Sequence, residues 1–204
     1  MAHLLHIDAS PRADRSHSRK LSREFVEAWV AAHPGDTVTY RDLGHNPVPL
    51  VSEAWIAAVY TPPEAQTAET RELLRVSDEM IEELMVADVY VFGVPMYNFG
   101  VPAGFKAYID QVVRAGRTFL VPGYEGLLKN KKMFLAMAAG QDYAVGMPMA
   151  DYNYVLPYLR AVFGFLGVTD MTPIAVATGA GGEDLAQSET KAGKMIAEVV
   201  GATA

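Results

Sequence analysis

Short apolar runs alternate with segments whose apolar residues recur at helical spacing along most of the chain. The runs predict strands at residues 3–9, 37–41, 89–94, 132–138 and 172–177. The helical spacing predicts helices at residues 18–33, 68–86, 102–116, 150–166 and 184–200. Residues 89–94 are almost entirely apolar, as a strand covered on both faces should be. The alternation therefore predicts an α/β fold with a parallel sheet and helices on both faces.

The order of these elements narrows the fold class. Five strands alternating with five helices match a flavodoxin-like, doubly wound, five-stranded parallel sheet better than a longer Rossmann sheet. The predicted buried stripes of the first three helices are Leu21, Phe25, Ala28, Trp29 and Ala32; Leu73, Val76, Met80, Ile81 and Leu84; and Phe105, Ile109, Val112 and Val113. Residues 43–66 have little periodicity and four prolines, which predicts a long surface connection able to cover a site.

Composition limits the possible functions. The chain has 204 residues, half of them hydrophobic, and this predicts one domain over residues 1–204. The absence of cysteine excludes disulfides, thiolate catalysis, iron–sulfur clusters and cysteine zinc sites. We find no signal peptide and no run of about 18 apolar residues, and we expect a cytoplasmic protein that binds no membrane. A net charge of −7 without a lysine-rich face argues against nucleic acid.

The loop between the first strand and the first helix is the first candidate binding segment. Its hydroxyl groups and cations belong to Ser10, Ser16, Ser18, Arg12 and Arg15. It lacks both G-x-G-x-x-G and a Walker lysine, so it predicts neither a dinucleotide fingerprint nor a P-loop. Hydroxyl groups, free amides at a helix start and nearby cations suit a terminal phosphate monoester. The alternative is an N-cap serine beside solvated arginines, but the position after the first strand favours phosphate binding.

A second candidate loop follows the third strand and reads Pro95, Met96, Tyr97, Asn98, Phe99. Its residues combine flat apolar groups with amide donors at the carboxyl end of a strand, where α/β sheets bind ligands. The alternative is a tight turn whose aromatic residues cap the core. Because this loop should lie beside residues 10–18 in space, a ring-plus-phosphate ligand such as flavin mononucleotide (FMN) would span both loops.

A third, weaker candidate is the segment 137–143 after the fourth strand. Gly140 allows close approach of a ligand to the backbone, and Gln141 can form a hydrogen bond with the polar edge of a ring, although a plain turn explains the segment equally well.

The five histidines show no metal-ligand spacing, and His17 lies between two serines of the loop at residues 10–18. Asp8 ends the first strand and receives no role, because a carboxylate beside a bound phosphate is repulsive.

Taken with this fold order, the two main loops resemble those of the family of FMN-dependent NADH-azoreductases and quinone reductases. The similarity covers nearly the whole chain. Its strongest pieces are V-P-M-Y-N-F at 94–99, R-A-G-R-T-F at 114–119, the spacing of Ser10, Ser16 and Ser18, the segment Tyr40 to Leu43, and P-Y-L-x-x-V-F-G-F-L-G at 157–167. The resemblance implies that Ser10, Ser16, His17 and Ser18 bind the phosphate end of FMN, and that Met96, Tyr97, Asn98 and Phe99 contact the isoalloxazine.

The resemblance also implies a homodimer with FMN near the interface, the second subunit helping to line the substrate pocket. Possible aromatic walls are Phe163, Phe165, Tyr124, Tyr143 and Tyr152. Relatives often read serine, arginine and two glycines after the fourth strand, whereas this chain reads Ala138, Ala139, Gly140 and Gln141. That difference removes a hydroxyl group and a cation near the flavin edge.

The function implied by the resemblance is a two-step, ping-pong exchange. NADH passes a hydride to FMN and departs, and the reduced flavin then passes two electrons to a quinone or an azo compound. One alternative is a non-enzymatic electron carrier of the flavodoxin type. The length of the serine loop, residues 10–18, and the moderate net charge argue against this alternative. Another is a domain that has lost its cofactor and serves as a scaffold. The sequence ranks neither the acceptors nor NADH against NADPH.

Overall fold

The structure of the protein is a computed structural model, and it describes residues 1–179 and 184–203. The strands are β1 (His3–Asp8), β2 (Thr37–Asp42), β3 (Val89–Pro95), β4 (Lys132–Ala139) and β5 (Asp170–Ala177). The α-helices are α1 (His17–Ala32), α2 (Glu53–Tyr60), α3 (Ala68–Val86), α4 (Ala103–Val112), α5 (Val155–Phe165) and α6 (Leu185–Gly201). The strands form one parallel sheet in the order β2-β1-β3-β4-β5. The predicted flavodoxin-like fold class is confirmed.

Two apolar layers form because side chains alternate across the sheet. Along β3, Tyr90, Phe92 and Val94 face the layer that also holds α3, α4 and α5, whereas Val89 and Val91 face the layer of α1 and α6. All seven residues of β3 are buried. A central strand covered on both faces is therefore apolar throughout, which is why the sequence predicted this strand correctly.

The connection 43–66 contains a helix that the sequence analysis did not predict. It contains α2, which begins after Ser52, whose hydroxyl group accepts a hydrogen bond from the Trp55 amide at 3.2 Å. Trp55 and Ala58 pack against Leu74 of α3 in a small separate cluster. A helix of eight residues is too short to show a periodic pattern, and its stability comes from these contacts.

The buried stripe of α3 differs from the predicted one at its start. Leu73 is exposed, and Leu74 and Ser77 are buried instead. Leu74 contacts α2, and the Ser77 hydroxyl group donates a hydrogen bond to the Gln111 carbonyl at 2.6 Å. The start of α3 therefore faces neighbours that the periodicity of one helix cannot reveal.

Two other helices are shorter than predicted. Helix α4 ends at Val112 because the Thr118 hydroxyl group accepts a hydrogen bond from the Arg114 amide at 3.0 Å and donates one to the Val112 carbonyl at 2.7 Å. Residues 150–166 split into a short 3-10 turn and α5, and the Asn153 side chain accepts a bond from the Leu156 amide at the start of α5. Local side-chain bonds thus override the apolar pattern at both places.

The strand order places the candidate loops together. From β1 the chain passes outward to β2 and then returns to β3 on the other side of β1, so the connections leaving β1 and β3 diverge. Crevices at such a switch point, at the carboxyl ends of the strands, are where open α/β sheets bind ligands. Across residues 1–179 and 184–203, none of the helices has the length and apolar character that a membrane span requires.

Candidate functional site

A small cavity of about 80 Å³ lies at the carboxyl edge of the sheet, at the ends of β1, β3, β4 and β5. The structure gathers most of the predicted site residues around it, namely Ser10, Arg12, Ser16, His17, Ser18, Pro95, Met96, Tyr97 and Gly140. Ala138, Ala139 and Thr178 complete its wall. Three separately predicted loops therefore surround a single cavity.

The serine side of the cavity is the amino terminus of α1. Ser16 is the N-cap residue, and its hydroxyl oxygen accepts a hydrogen bond from the Arg19 amide at 3.4 Å. The hydroxyl oxygens of Ser16 and Ser18 lie 3.2 Å apart, and both residues are buried. The first amides of an α-helix have no partner within the helix, and the helix dipole favours an anion there. Buried hydroxyl groups beside these amides fit a phosphate monoester.

The serine side and the ring side of the cavity touch each other. The Ser10 hydroxyl oxygen lies 3.4 Å from the hydroxyl oxygen of Tyr97. Asp8 of β1 pairs with Gly93 of β3, and the Met96 amide donates to the Ala138 carbonyl of β4 at 2.8 Å. The expected adjacency of the two loops is confirmed, since neighbouring parallel strands carry them.

The loop after β3, residues 95–99, is called the ring loop; it forms a tight turn and contains a strained residue. Tyr97 and Gly100 exchange two backbone hydrogen bonds, both of 3.0 Å, and Asn98 and Phe99 between them have φ values of 48° and 69°. Two positive φ values define a type I′ turn, which Asn accepts readily. A phenylalanine in this region costs roughly 1–2 kcal/mol. Such strain in a loop whose neighbouring residues Met96 and Tyr97 line a cavity is a pointer to function.

Asn98 and Phe99 lie at the tip of this turn and line neither of the cavities at this edge of the sheet. The Phe99 ring is 41 % exposed, and its centroid lies 5.3 Å from the centroid of the Tyr152 ring. An exposed ring on a fixed backbone presents a flat apolar surface beside the cavity. Tyr152 comes from the segment before α5, so two loops contribute to this surface.

A larger cavity of about 610 Å³ adjoins the small one and shares Met96 and Ala139 with it. Gln141 lines this larger cavity rather than the small one, as does Tyr143. The loop after β4 therefore contributes to both cavities: Gly140 lines the small cavity with the serines, and Gln141 lines the larger cavity with residues of β5 and α6.

The other aromatic residues proposed as pocket walls lie elsewhere. Phe163 is fully buried and packs on Phe92, so it belongs to the core. Phe165 and Tyr124, both exposed, form a cluster with the partly buried Phe119, with ring centroids 4.9–6.3 Å apart. That cluster lies on the surface of this chain and in neither of the two cavities.

A buried polar network centred on Arg19 connects the serine loop to residues of β1 and β2. The Arg19 guanidinium donates to the Ser10 carbonyl at 2.7 Å, to the Tyr40 hydroxyl group at 3.0 Å and to the Asp42 carboxylate. The Asp8 carboxylate lies 3.7 Å from the same guanidinium. Asp8 therefore has a role that the sequence did not reveal: it helps neutralise Arg19 and lines a separate cleft, away from the serine cavity.

The network fixes the protonation of its members. Burial alone would raise the pKa of the Asp42 carboxyl group, but hydrogen bonds from Arg19 and His45, together with the charge of Arg19, hold that pKa well below its usual range. Half of the Tyr40 side chain is exposed, yet its hydroxyl group points into the network. Burial and the neighbouring Asp8 carboxylate raise the pKa of Tyr40 to about 12, so the phenol stays protonated at neutral pH and donates to Asp8 at 3.0 Å.

Acid should weaken the support given by Asp42. Its folded-state pKa lies below the unfolded value of about 3.9, so its contribution to stability is present above that pH and is lost as the pH falls further. We expect Asp42→Asn to unfold at lower urea concentration than the native protein at pH 7, and the difference to narrow below about pH 4. Urea titrations at several pH values measure this, with Asp14→Asn on the exposed loop as control. A difference that stays constant down to pH 3 would contradict the pKa assignment.

Sequence reasoning missed two kinds of residue. Arg19 lies inside α1, where an arginine normally signals solvent exposure, yet it is 7 % exposed. Thr178 directly follows β5, and its position after a strand was the available signal. Among the residues that the structure describes, no group of three or more His, Asp or Glu side chains is arranged to hold a metal ion.

Comparisons with known proteins agree with this geometry. A family model described as "Flavodoxin-like fold" matches residues 2–199. An FMN-dependent NADH:quinone oxidoreductase of Nostoc punctiforme is 57% identical over 173 residues, which cover 84% of each chain. One from Nostoc sp. is 56% identical over 187 residues, or 90% of each chain. An FMN-dependent NADH-azoreductase of Bacillus anthracis, solved in complex with FMN, superimposes with a TM-score of 0.89 at 27% identity over the whole of both chains. The chain therefore belongs to the flavodoxin-like family of FMN-dependent NADH:quinone oxidoreductases and azoreductases.

Proposed function

We propose that this protein takes two electrons from NADH through bound FMN and delivers them to quinones and azo compounds in a ping-pong reaction. One observation carries the proposal: a single cavity joins buried serine hydroxyl groups at a helix amino terminus to the Met96–Tyr97 ring loop, through the contact between Ser10 and Tyr97. A phosphate monoester attached to a planar ring requires this combination of groups.

The residues fit FMN in the following roles. Ser10, Ser16 and Ser18 hold the phosphate with the first amides of α1, and Arg12 and His17 close that end of the cavity. Pro95, Met96 and Tyr97 meet the ring, with Asn98 and Phe99 at the tip of the loop. Gly140, in the wall of the small cavity, would let the backbone approach the ring, and Gln141, in the wall of the larger cavity, would face its polar edge.

When bound, FMN supplies the redox chemistry, because a flavin accepts a hydride from NADH and releases two electrons to an acceptor. The chain has to orient the ring, exclude water from one of its faces and hold the phosphate. Two backbone hydrogen bonds between Tyr97 and Gly100 hold the turn at Asn98 and Phe99, and this restraint limits the conformational entropy that the loop loses on binding. The proton that the product needs can come from water.

The proposal includes a homodimer. The cluster of Phe119, Tyr124 and Phe165 exposes apolar surface together with Leu120 and Val121, and such surface on a soluble chain marks an interaction site. Sedimentation equilibrium of the native protein and of Leu120→Ser should show a dimer that weakens in the variant. A monomer at all concentrations of the native protein would overturn this part of the proposal.

The test of the function is anaerobic stopped-flow mixing of the FMN-loaded protein with NADH, followed by mixing with a quinone or an azo dye. The expected result is direct loss of flavin absorbance with NADH, in parallel runs with NADPH for comparison, and its recovery with either acceptor. A flavodoxin-type carrier would ignore NADH and accumulate one-electron-reduced flavin. A colourless protein that does not bind added FMN would leave only the scaffold alternative.

Asn98 offers a sharper test of the ring side. Asn98→Gly keeps the positive φ of the turn and removes only the side-chain amide, so we expect FMN to bind about five- to tenfold more weakly with little change in stability. Asn98→Ala should bind as weakly and also lose about 1 kcal/mol of stability, because alanine is strained at this φ. Fluorescence titration with FMN and urea unfolding separate the two effects. Native-like FMN affinity in Asn98→Gly would remove Asn98 from the site.

A further inference from the structure

The proposed function gives the larger cavity no part in binding the phosphate of FMN, although this cavity adjoins the small one. It begins at Met96 and Ala139, which it shares with the small cavity, and runs along β5. In the sheet formed by the described residues, β5 pairs with β4 alone and is therefore an edge strand. Pro173, Ala175, Val176 and Ala177 of β5 line the cavity, so residues of both faces of this strand contribute to its wall. The volume of about 610 Å³ lies within the range of roughly 300–1,000 Å³ typical of small-molecule sites.

The opposite wall of the cavity is a polar flank of α6. Gln187, Lys191 and Lys194 follow one another at spacings of four and three, which places them on one side of the helix. The buried stripe of α6, formed by Ala192, Ile196 and Val200, faces the core instead. The cavity therefore has apolar side chains at the end that it shares with the small cavity, Met96 and Ala139, and two lysines on α6, while Gln141, Asp142 and Asn153 add polar groups to its wall.

The two lysines are not neutralised by the groups that the structure describes. Neither Lys191 nor Lys194 forms a salt bridge with a residue in the ranges 1–179 and 184–203. Among the described residues that line this cavity, the one carboxylate belongs to Asp142, and it accepts a hydrogen bond from the Ala144 amide at 2.8 Å within its own loop. A chain with a net charge of −7 thus presents two ammonium groups at the end of a cavity that starts at the proposed flavin site.

We propose that Lys191 and Lys194 bind the diphosphate of NADH while its nicotinamide lies at the Met96 end of the same cavity. This inference rests on the proposed function. NADH joins a planar ring to a diphosphate with two negative charges, which matches an apolar end followed by two cations. The chain has no G-x-G-x-x-G fingerprint, so the diphosphate needs another partner.

The test is the double variant K191Q/K194Q in the FMN-loaded protein, mixed anaerobically with NADH. We expect the NADH concentration for half-maximal flavin reduction to rise by at least about tenfold, because two charge-assisted contacts are lost. The limiting rate of reduction and the Kd for FMN, measured by fluorescence, should stay unchanged. Native half-saturation should rise with salt, and that dependence should flatten in the variant.

Two controls isolate the diphosphate contact. 1-Benzyl-1,4-dihydronicotinamide donates a hydride but carries no phosphate, so it should reduce both proteins at the same rate. K129Q/K132Q makes the same change of net charge with exposed lysines at the amino-terminal end of β4, away from the site, and should behave as the native protein.

The outcomes separate this inference from the function on which it rests. If NADH does not reduce the flavin of the native protein, the proposed function and the lysine assignment are both overturned. Reduction with the same half-saturation in K191Q/K194Q and in the native protein would overturn the lysine assignment alone. An unchanged NADH dependence combined with a raised KM for a sulfonated azo dye, but not for an uncharged quinone, would also overturn it, because the lysines would then bind the acceptor.

Discussion

Arg19→Ala should lower the free energy of unfolding by about 3–5 kcal/mol, the range measured when one partner of a buried ion pair is removed. Arg19 is 7 % exposed and is the cation that faces both Asp42 and Asp8. Its removal leaves two carboxylates in a poorly solvated place and takes a hydrogen bond from the Ser10 carbonyl. The serine loop should therefore lose its support together with the domain's stability.

Urea unfolding and thermal melting measure this effect, and a change of that size corresponds to a fall in Tm of roughly 6–20 °C for a domain of this length. Arg23→Ala is the matched control, because Arg23 lies one turn further along the same helix and is exposed. Arg19→Lys should fall between the two, since lysine keeps the charge but not the planar fork of donors. Equal stability of Arg19→Ala and Arg23→Ala would contradict the role given to the network.

Gly44→Ala should cost about 3 kcal/mol and also weaken FMN binding. A Cβ atom at position 44 would lie 2.1 Å from the Ser10 carbonyl oxygen and 2.6 Å from a guanidinium nitrogen of Arg19. The first of these atoms belongs to the backbone, so rotating a side chain cannot relieve the overlap. The Ser10 segment must shift, and the Ser10 hydroxyl group would then move away from Tyr97.

Gly193→Ala provides the control for Gly44→Ala. Gly193 lies within α6, and a Cβ atom there would meet open space. Alanine is the better helix former, so this variant should be more stable by up to about 1 kcal/mol. Unfolding in urea and fluorescence titration with FMN compare the two variants. If Gly44→Ala bound FMN as tightly as the native protein, the coupling between Gly44 and the serine loop would be refuted.

The sequence predicted the sheet well because the strands carry their own signal. β3 is buried on both faces and is apolar throughout, and the parallel direction of the strands follows from their alternation with helices. The sequence could not predict α2 or the start of the α3 stripe. Trp55 is buried because it meets Leu74, and no local pattern encodes a contact between two helices.

The candidate site divides in the same way. Loops at the carboxyl ends of strands could be identified from position and composition, and the structure gathers Ser10, Ser16, Tyr97 and Gly140 around one cavity. The supporting layer could not be identified, because Arg19 looks like an ordinary helix arginine until β2 and its Asp42 are placed beside it. Lys191 likewise becomes informative only when α6 is seen facing β5 across a cavity.

The small cavity draws its wall from segments as distant in sequence as Ser10 and Thr178, at the ends of four of the five strands. Any ligand held there is thermodynamically linked to unfolding of the sheet as a whole. At a concentration one hundred times its Kd, such a ligand adds about 2.7 kcal/mol to the free energy of unfolding. For a domain of this length that raises Tm by roughly 5–11 °C. Flavin occupancy thus sets much of the heat resistance of a preparation, and the Tm values of variants are comparable only at equal occupancy.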